Sequence, residues 1–175
     1  MRTVERPELV RYLAELPDRT HGAIIYNDDE VRYPLMVEYL AAGLERNYLC
    51  IVATMDASPE PVRKRTAEFG LDASQHEPSL HIRTRRMLFG PGKEPDLVLR
   101  TWNIDRCFAE ARRLHKVGIR WAGELPNRFM VPGQLGTWFR REEAFDERAP
   151  NYSVVCAHDS RLTLDRSVVD AVHPY

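Results

Sequence analysis

The chain is poor in lysine, with three against 22 arginines, and it carries almost no net charge, at −1 with a pI near 6.6. That balance speaks against a nucleic-acid partner, which calls for a basic face. No apolar run approaches the roughly 20 residues that span a bilayer, so no membrane association is expected. The first residues, Met1 to Pro7, hold no apolar core of a secretory signal. Cysteine is scarce and odd in number (Cys50, Cys107 and Cys156), with no CxxC pair. A disulfide framework is thereby excluded, and reduced, buried thiols in a cytoplasmic protein are expected.

Sequence signatures of common chemistries are also missing. There is no GxGxxG for a dinucleotide and no GxSxG nucleophile elbow. Gly92-Lys93 is not a phosphate loop, because Met87 and Glu94 stand where a glycine and a hydroxyl residue are needed. The six histidines are dispersed, and His76 and His81, five apart, match no common metal spacing. No metal site is expected. Cys156 and His158 lie two apart on an expected strand and so share a face. A thiolate beside an imidazole is conceivable there, but an inert core cysteine is the favoured reading. The arginine clusters at 83–86, 112–113 and 140–141 read as solvated faces.

What is present is length enough for one well-buried domain and a regular alternation of short apolar runs with helical patterns. Residues 1–19 read as a helical extension and 20–175 as the main domain. Strands are expected at Gly22–Tyr26, Tyr48–Ala53, Leu80–Arg83, Ile119–Leu125 and Tyr152–Ala157. The second is apolar on both faces, as a central parallel strand is. Asn27-Asp28-Asp29 supplies turn and cap residues before a helix carrying Val31, Leu35, Met36, Tyr39, Leu40 and Leu44, with Pro34 in its first turn and Asn47 near its end. Ser58-Pro59 should start a helix that Gly70 ends. Residues 84–100, with Gly90, Pro91, Gly92 and Pro95, read as a surface loop. Thr101 or Asn103 would then cap a helix ended by Gly118. Helices are also expected over 132–147 and 164–172. The pattern predicts an α/β fold, a three-layer sandwich around a mostly parallel sheet of about five or more strands.

In such sheets ligands bind beyond the carboxyl ends of the strands. Three segments end there with polar or aromatic groups: Tyr26 to Glu30, Thr54 to Asp56, and Arg120 to Glu124. Tyr26, Asn27, Asp28, Glu30, Thr54, Arg120, Trp121 and Glu124, with His158, are the expected lining of a pocket for a small organic ligand. Glu124 at the end of an apolar strand is costly to bury unless paired. Tyr26 and Glu124 are accordingly expected side by side on one rim.

The order His21-Gly22-Ala23-Ile24-Ile25-Tyr26, Gly43 to Ile51, Gly118 to Leu125, Val155 to Asp159 and Asp170 to Pro174 resembles the MEDS family, the methanogen/methylotroph DcmR sensory domain. Its Arg-x-x-Gly-Glu-Met segment is matched by Arg120-Trp121-Ala122-Gly123-Glu124-Leu125. His158 stands where that family usually has tyrosine, and Trp138-Phe139 where it often has Tyr-Glu. The resemblance implies a RecA/KaiC-like core without a working phosphate loop, no catalysis, and sensing of a small molecule of unspecified identity. It also implies a signal passed to a separate protein, such as a kinase or transcription regulator, or through a self-assembled surface. The alternative is an interaction module regulating a kinase or sigma-type factor, its ligand site vestigial. That alternative predicts a filled pocket and an exposed apolar patch. An enzyme using Glu124 or His158 as acid or base is the least favoured reading.

Overall fold

A computed structural model describes residues 6–91, 97–124 and 151–162. Its strands are β1 (His21–Tyr26), β2 (Leu49–Thr54), β3 (Leu80–Thr84), β4 (Ile119–Gly123) and β5 (Tyr152–Asp159). All pair in parallel, in the order β1-β5-β4-β2-β3. Every residue of β2, β4 and β5 is buried, as expected for strands covered on both faces. Helices α1 (Arg6–Ala14), α2 (Asp29–Glu45) and α3 (Glu60–Glu68) cover one face, and α4 (Arg85–Phe89) and α5 (Leu97–Arg113) cover the other. This is the three-layer α/β sandwich that the alternation predicts.

The two cores follow strand parity. Cys50, Val52, Ala122, Val155 and Ala157 pack on Leu35, Met36, Tyr39 and Leu40 of α2, together with Leu13 and Leu16. Leu49, Ile51, Trp121, Val154 and Cys156 pack instead with Leu88, Phe89, Ile104 and Cys107. Gly43 lets α2 approach the sheet. A Cβ there would lie 2.6 Å from Arg120 Cδ and 2.8 Å from Cys50 Sγ.

Several local expectations need correction. Residues 84–100 are not one loop. Thr84 Oγ1 accepts from Met87 N at 3.4 Å and starts α4, which Gly90 (φ 80°) ends, and α5 already begins at Leu97. Asn103 therefore lies inside α5, where its amide donates to Leu99 O and Met87 O, both at 2.9 Å. Pro34 sits deeper than the first turn of α2, because Asp28 caps at Glu30 N (3.0 Å) and sets the start at Asp29. Helix α3 starts at Glu60 with Pro59 at its boundary and no side-chain cap bond, so Ser58 does not play that part. Asn47 adopts a left-handed φ of 62° just past the end of α2. The helices expected over 132–147 and 164–172 fall outside the described residues.

Candidate functional site

The carboxyl ends of β1, β2 and β4 meet under the start of α2. Glu124 directly follows β4, and its carboxylate is the centre of the cluster. Oε1 accepts from Thr54 Oγ1 at 2.8 Å and from Met55 N at 3.2 Å. Oε2 pairs with Arg32 Nη1 and lies 3.5 Å from Tyr26 Oη. Thr54 also accepts from Asp56 N at 3.1 Å, which fixes the turn after β2. A carboxylate is thus held by a cation, a hydroxyl and a backbone amide, which offsets the cost of taking it out of water.

Arg32 is the residue that sequence reasoning missed. Its side chain is 8% exposed. Nη1 donates to Tyr26 Oη at 3.0 Å, and Nη2 lies 3.2 Å from Asp29 Oδ1. The guanidinium carbon stands 4.9 Å and 4.4 Å from the ring centroids of Tyr26 and Tyr33. Burial opposes its charge, but Glu124 and the neighbouring tyrosines and Asp29 outweigh burial and raise its affinity for the proton. Among the described residues, Arg32 Nε has no hydrogen-bond partner. The available signal was its place in the first turn of α2, three residues after Asp29, where an inward-facing arginine can reach the strand ends.

A slot opens between α2, α3 and the strand ends. Arg32, Tyr33, Met36, Thr54, Val62 and Glu124 line it, and its water-accessible space is about 10 Å³, room for one water molecule. Tyr33 stacks on Phe69 across the α2–α3 seam at 6.3 Å, and Arg65 of α3 pairs with Glu30.

The expected residues divide by strand face and end. Tyr26, Thr54 and Glu124 are brought together. Asp28 is taken up in capping α2, Glu30 is exposed on the seam, and Asn27 is exposed. Trp121 and His158 lie on the opposite face, towards the α5 layer. Trp121 packs among that layer's core residues, and His158 senses the charge of His21 there. Arg120 shares the face of Glu124 but points to the other end of the sheet. It donates to Tyr39 O at 2.9 Å, Ala14 O at 3.0 Å and Leu16 O at 3.2 Å. These three residues therefore do not share the rim with Glu124. No group of three or more metal-ligating side chains occurs among the described residues, and no helix there is long and apolar enough to cross a membrane.

A search of curated proteins finds no match to the chain. The model of the MEDS family, described as the MEthanogen/methylotroph, DcmR Sensory domain, matches residues 20–174, a span holding every described strand and the whole Glu124–Arg32 cluster; the chain belongs to this family of sensory domains.

Proposed function

We propose that this chain is a non-catalytic sensory module that binds a small organic ligand at the carboxyl-edge cluster and signals to a separate protein. The observation that carries the reading is the Glu124 carboxylate. It is partly buried at a strand end against Arg32, Thr54 and Tyr26, where open parallel sheets bind ligands. Arg32 Nε supplies a donor and Glu124 an acceptor, so a small polar organic molecule carrying both kinds of group fits the chemistry. The slot holds only one water, so a ligand must part α2 from α3. That displacement, acting on the Tyr33–Phe69 stack and the Arg65–Glu30 pair at the surface, is the signal.

A thermal-shift screen of small alcohols, amides and carboxylic acids tests this. A ligand at about 100 times its Kd adds roughly 2.7 kcal/mol, which raises Tm by several degrees. The expected outcome is a raised Tm that disappears in Glu124→Gln. A shift that survives that substitution, or no shift across the screen, counts against the site.

The second reading is an interaction module with a filled site. The one-water slot favours it, as does the exposed face of α5, where Val98 is 81% and Trp102 53% exposed. Val98, Thr101, Trp102 and Asp105 line an open depression of about 390 Å³. Capture of one partner, lost in Trp102→Ala and indifferent to every compound of the screen, would favour this reading.

A further inference from the structure

On the sheet face opposite Glu124, two residues far apart in sequence form a thiol–imidazole pair. His21 Nε2 lies 3.1 Å from Cys156 Sγ. The parallel register explains the contact. His21 pairs with Val154 and Ala23 with Cys156, so imidazole and thiol share a face one rung apart. The small Ala23 leaves room for the ring to lean across.

The rung carrying the thiol is small on four of the five strands, with Arg83 on the fifth. It runs Ala23, Cys156, Gly123, Ala53 across four strands. Gly123 cannot enlarge, because a Cβ there would meet Ala53 O at 2.4 Å. The rung on one side carries the larger His21, Val154, Trp121 and Ile51. The sulfur thus sits between small neighbours on its own rung, with the His21 imidazole against it, and Cys156 itself is 6% exposed within the core under α5. Exposure rises towards the edge strand: Ala23, the neighbour of Cys156 on β1, is exposed, Ile25 is 47% exposed and His21 is half-buried.

The other two cysteines differ. Cys50 is fully buried and donates to Leu40 O at 3.3 Å, and burial pushes its thiol up to about 12. Cys107 is also pushed up by burial, which outweighs the nearby Arg83. Cys156 is buried as well, but it has an imidazole against its sulfur and the exposed Ala23 beside it on the edge strand.

We propose that Cys156, activated by His21, is a covalent modification site for a small uncharged carbon electrophile of the α,β-unsaturated carbonyl type. The thiol proton passes to His21 Nε2. The sulfur electron pair forms the S–C bond at the β-carbon, the π pair moves to the carbonyl oxygen, and the imidazolium returns the proton to the α-carbon. Nothing leaves and no oxidant or reductant is consumed. The apolar walls, Ala23, Val154 and Trp121, select against a charged reagent. The site is independent of the Glu124 cluster, which lies across the sheet.

The test is alkylation of the full chain by one equivalent of N-ethylmaleimide at pH 7, followed by intact mass and peptide mapping. Rates are referred to glutathione in the same solvent. Cys156 in the folded chain should take the first adduct about tenfold faster than the same thiol in urea, because His21 is in place to take the thiol proton as the S–C bond forms. His21→Gln should remove that advantage while keeping the native circular dichroism. A folded rate at or below the unfolded one, a first adduct on Cys50 or Cys107, or a folded His21→Gln chain with unchanged rate would overturn the proposal. If His21→Gln does not fold, the folded-to-unfolded ratio of the unaltered chain decides.

Discussion

Two buried arginines lie on the same side of the sheet, at opposite ends. Arg120, 1% exposed, is held by the carbonyls of Ala14, Leu16 and Tyr39 and by the rings of Tyr39 and Tyr48, with centroids at 4.9 Å and 5.4 Å. The groups that hold it are neutral, and what it does is fasten the end of α1 onto α2 and β4. Arg32 is held by a carboxylate at the end where loops leave the sheet. Neutral acceptors make a fixed joint, since none of them changes charge or leaves. A buried ion pair at a strand end is conditional, because anything that competes for one partner strands the other. The same side chain is a fastening at one end and an exchangeable contact at the other.

The comparison breaks first at the fixed joint. Arg120→Met keeps the length of the buried stem but leaves three carbonyls without their donor, at about 1–3 kcal/mol for each group left truly unsatisfied. Allowing for partial rehydration of Ala14 and Leu16, the loss should be about 4 kcal/mol by urea denaturation, with early proteolytic release of α1. A loss below about 1 kcal/mol would mean that the carbonyls find other donors and Arg120 is no fastening.

The amino acid sequence carries much of this arrangement. Five strands could be read from apolar runs, and Asp28 from its place before a helical pattern. Glu124 stood out as a charge at the end of an apolar strand, and its neighbourhood with Tyr26 follows from both residues ending parallel strands. Strand period two sorts the remaining residues of β4. Trp121 and Glu124 are three apart and so face opposite ways, while Arg120 and Glu124 are four apart, on one face but about 13 Å from each other. Arg32 was hidden for a different reason. Its partner is 92 residues away, and a charge in a first helical turn ordinarily faces water. The start of α4 was masked by Pro91, Gly92 and Pro95, whose turn signals outweighed the cap offered by Thr84.

Acid sharpens the contrast, because the carbonyls that hold Arg120 do not titrate, while the carboxyl end of the sheet holds His158. Burial, and then the charge of His21, pushes that imidazole down to about 4 from 6.5. Between those values the unfolded chain binds a proton that the folded chain refuses. The contribution is therefore complete above pH 6.5 and is lost as pH falls through about 4, roughly 3 kcal/mol in all at 1.36 kcal/mol per unit. Unfolding free energies measured at pH 7 and pH 4 should differ by less in His158→Gln than in the unaltered chain. Parallel curves would show that His158 does not titrate as argued.

At the conditional end, Glu124→Gln keeps the shape and an acceptor for Thr54 Oγ1 and Met55 N but leaves Arg32 without its counter-charge. Breaking a fully buried pair costs about 3–5 kcal/mol. Here the carboxylate side chain is 15% exposed, Asp29 remains 3.2 Å from Arg32, and the expected loss is about 2 kcal/mol. A double-mutant cycle with Arg32→Met isolates the pair, and a coupling near zero would mean that the two groups are independent despite their contact.

The smallest effect is the most discriminating. Thr54→Val removes the 2.8 Å hydroxyl bond to Glu124 Oε1 and the acceptor for Asp56 N while filling the same space. Met55 N stays on Oε1, so the stability loss should be only about 1 kcal/mol. If the cluster serves packing alone, nothing else should change. If it binds a ligand, the carboxylate loses the hydroxyl that fixes its orientation, and the response of Tm to the ligand should fall by more than the stability does. A chain that loses stability but keeps its full ligand response would place the binding elsewhere than at Glu124.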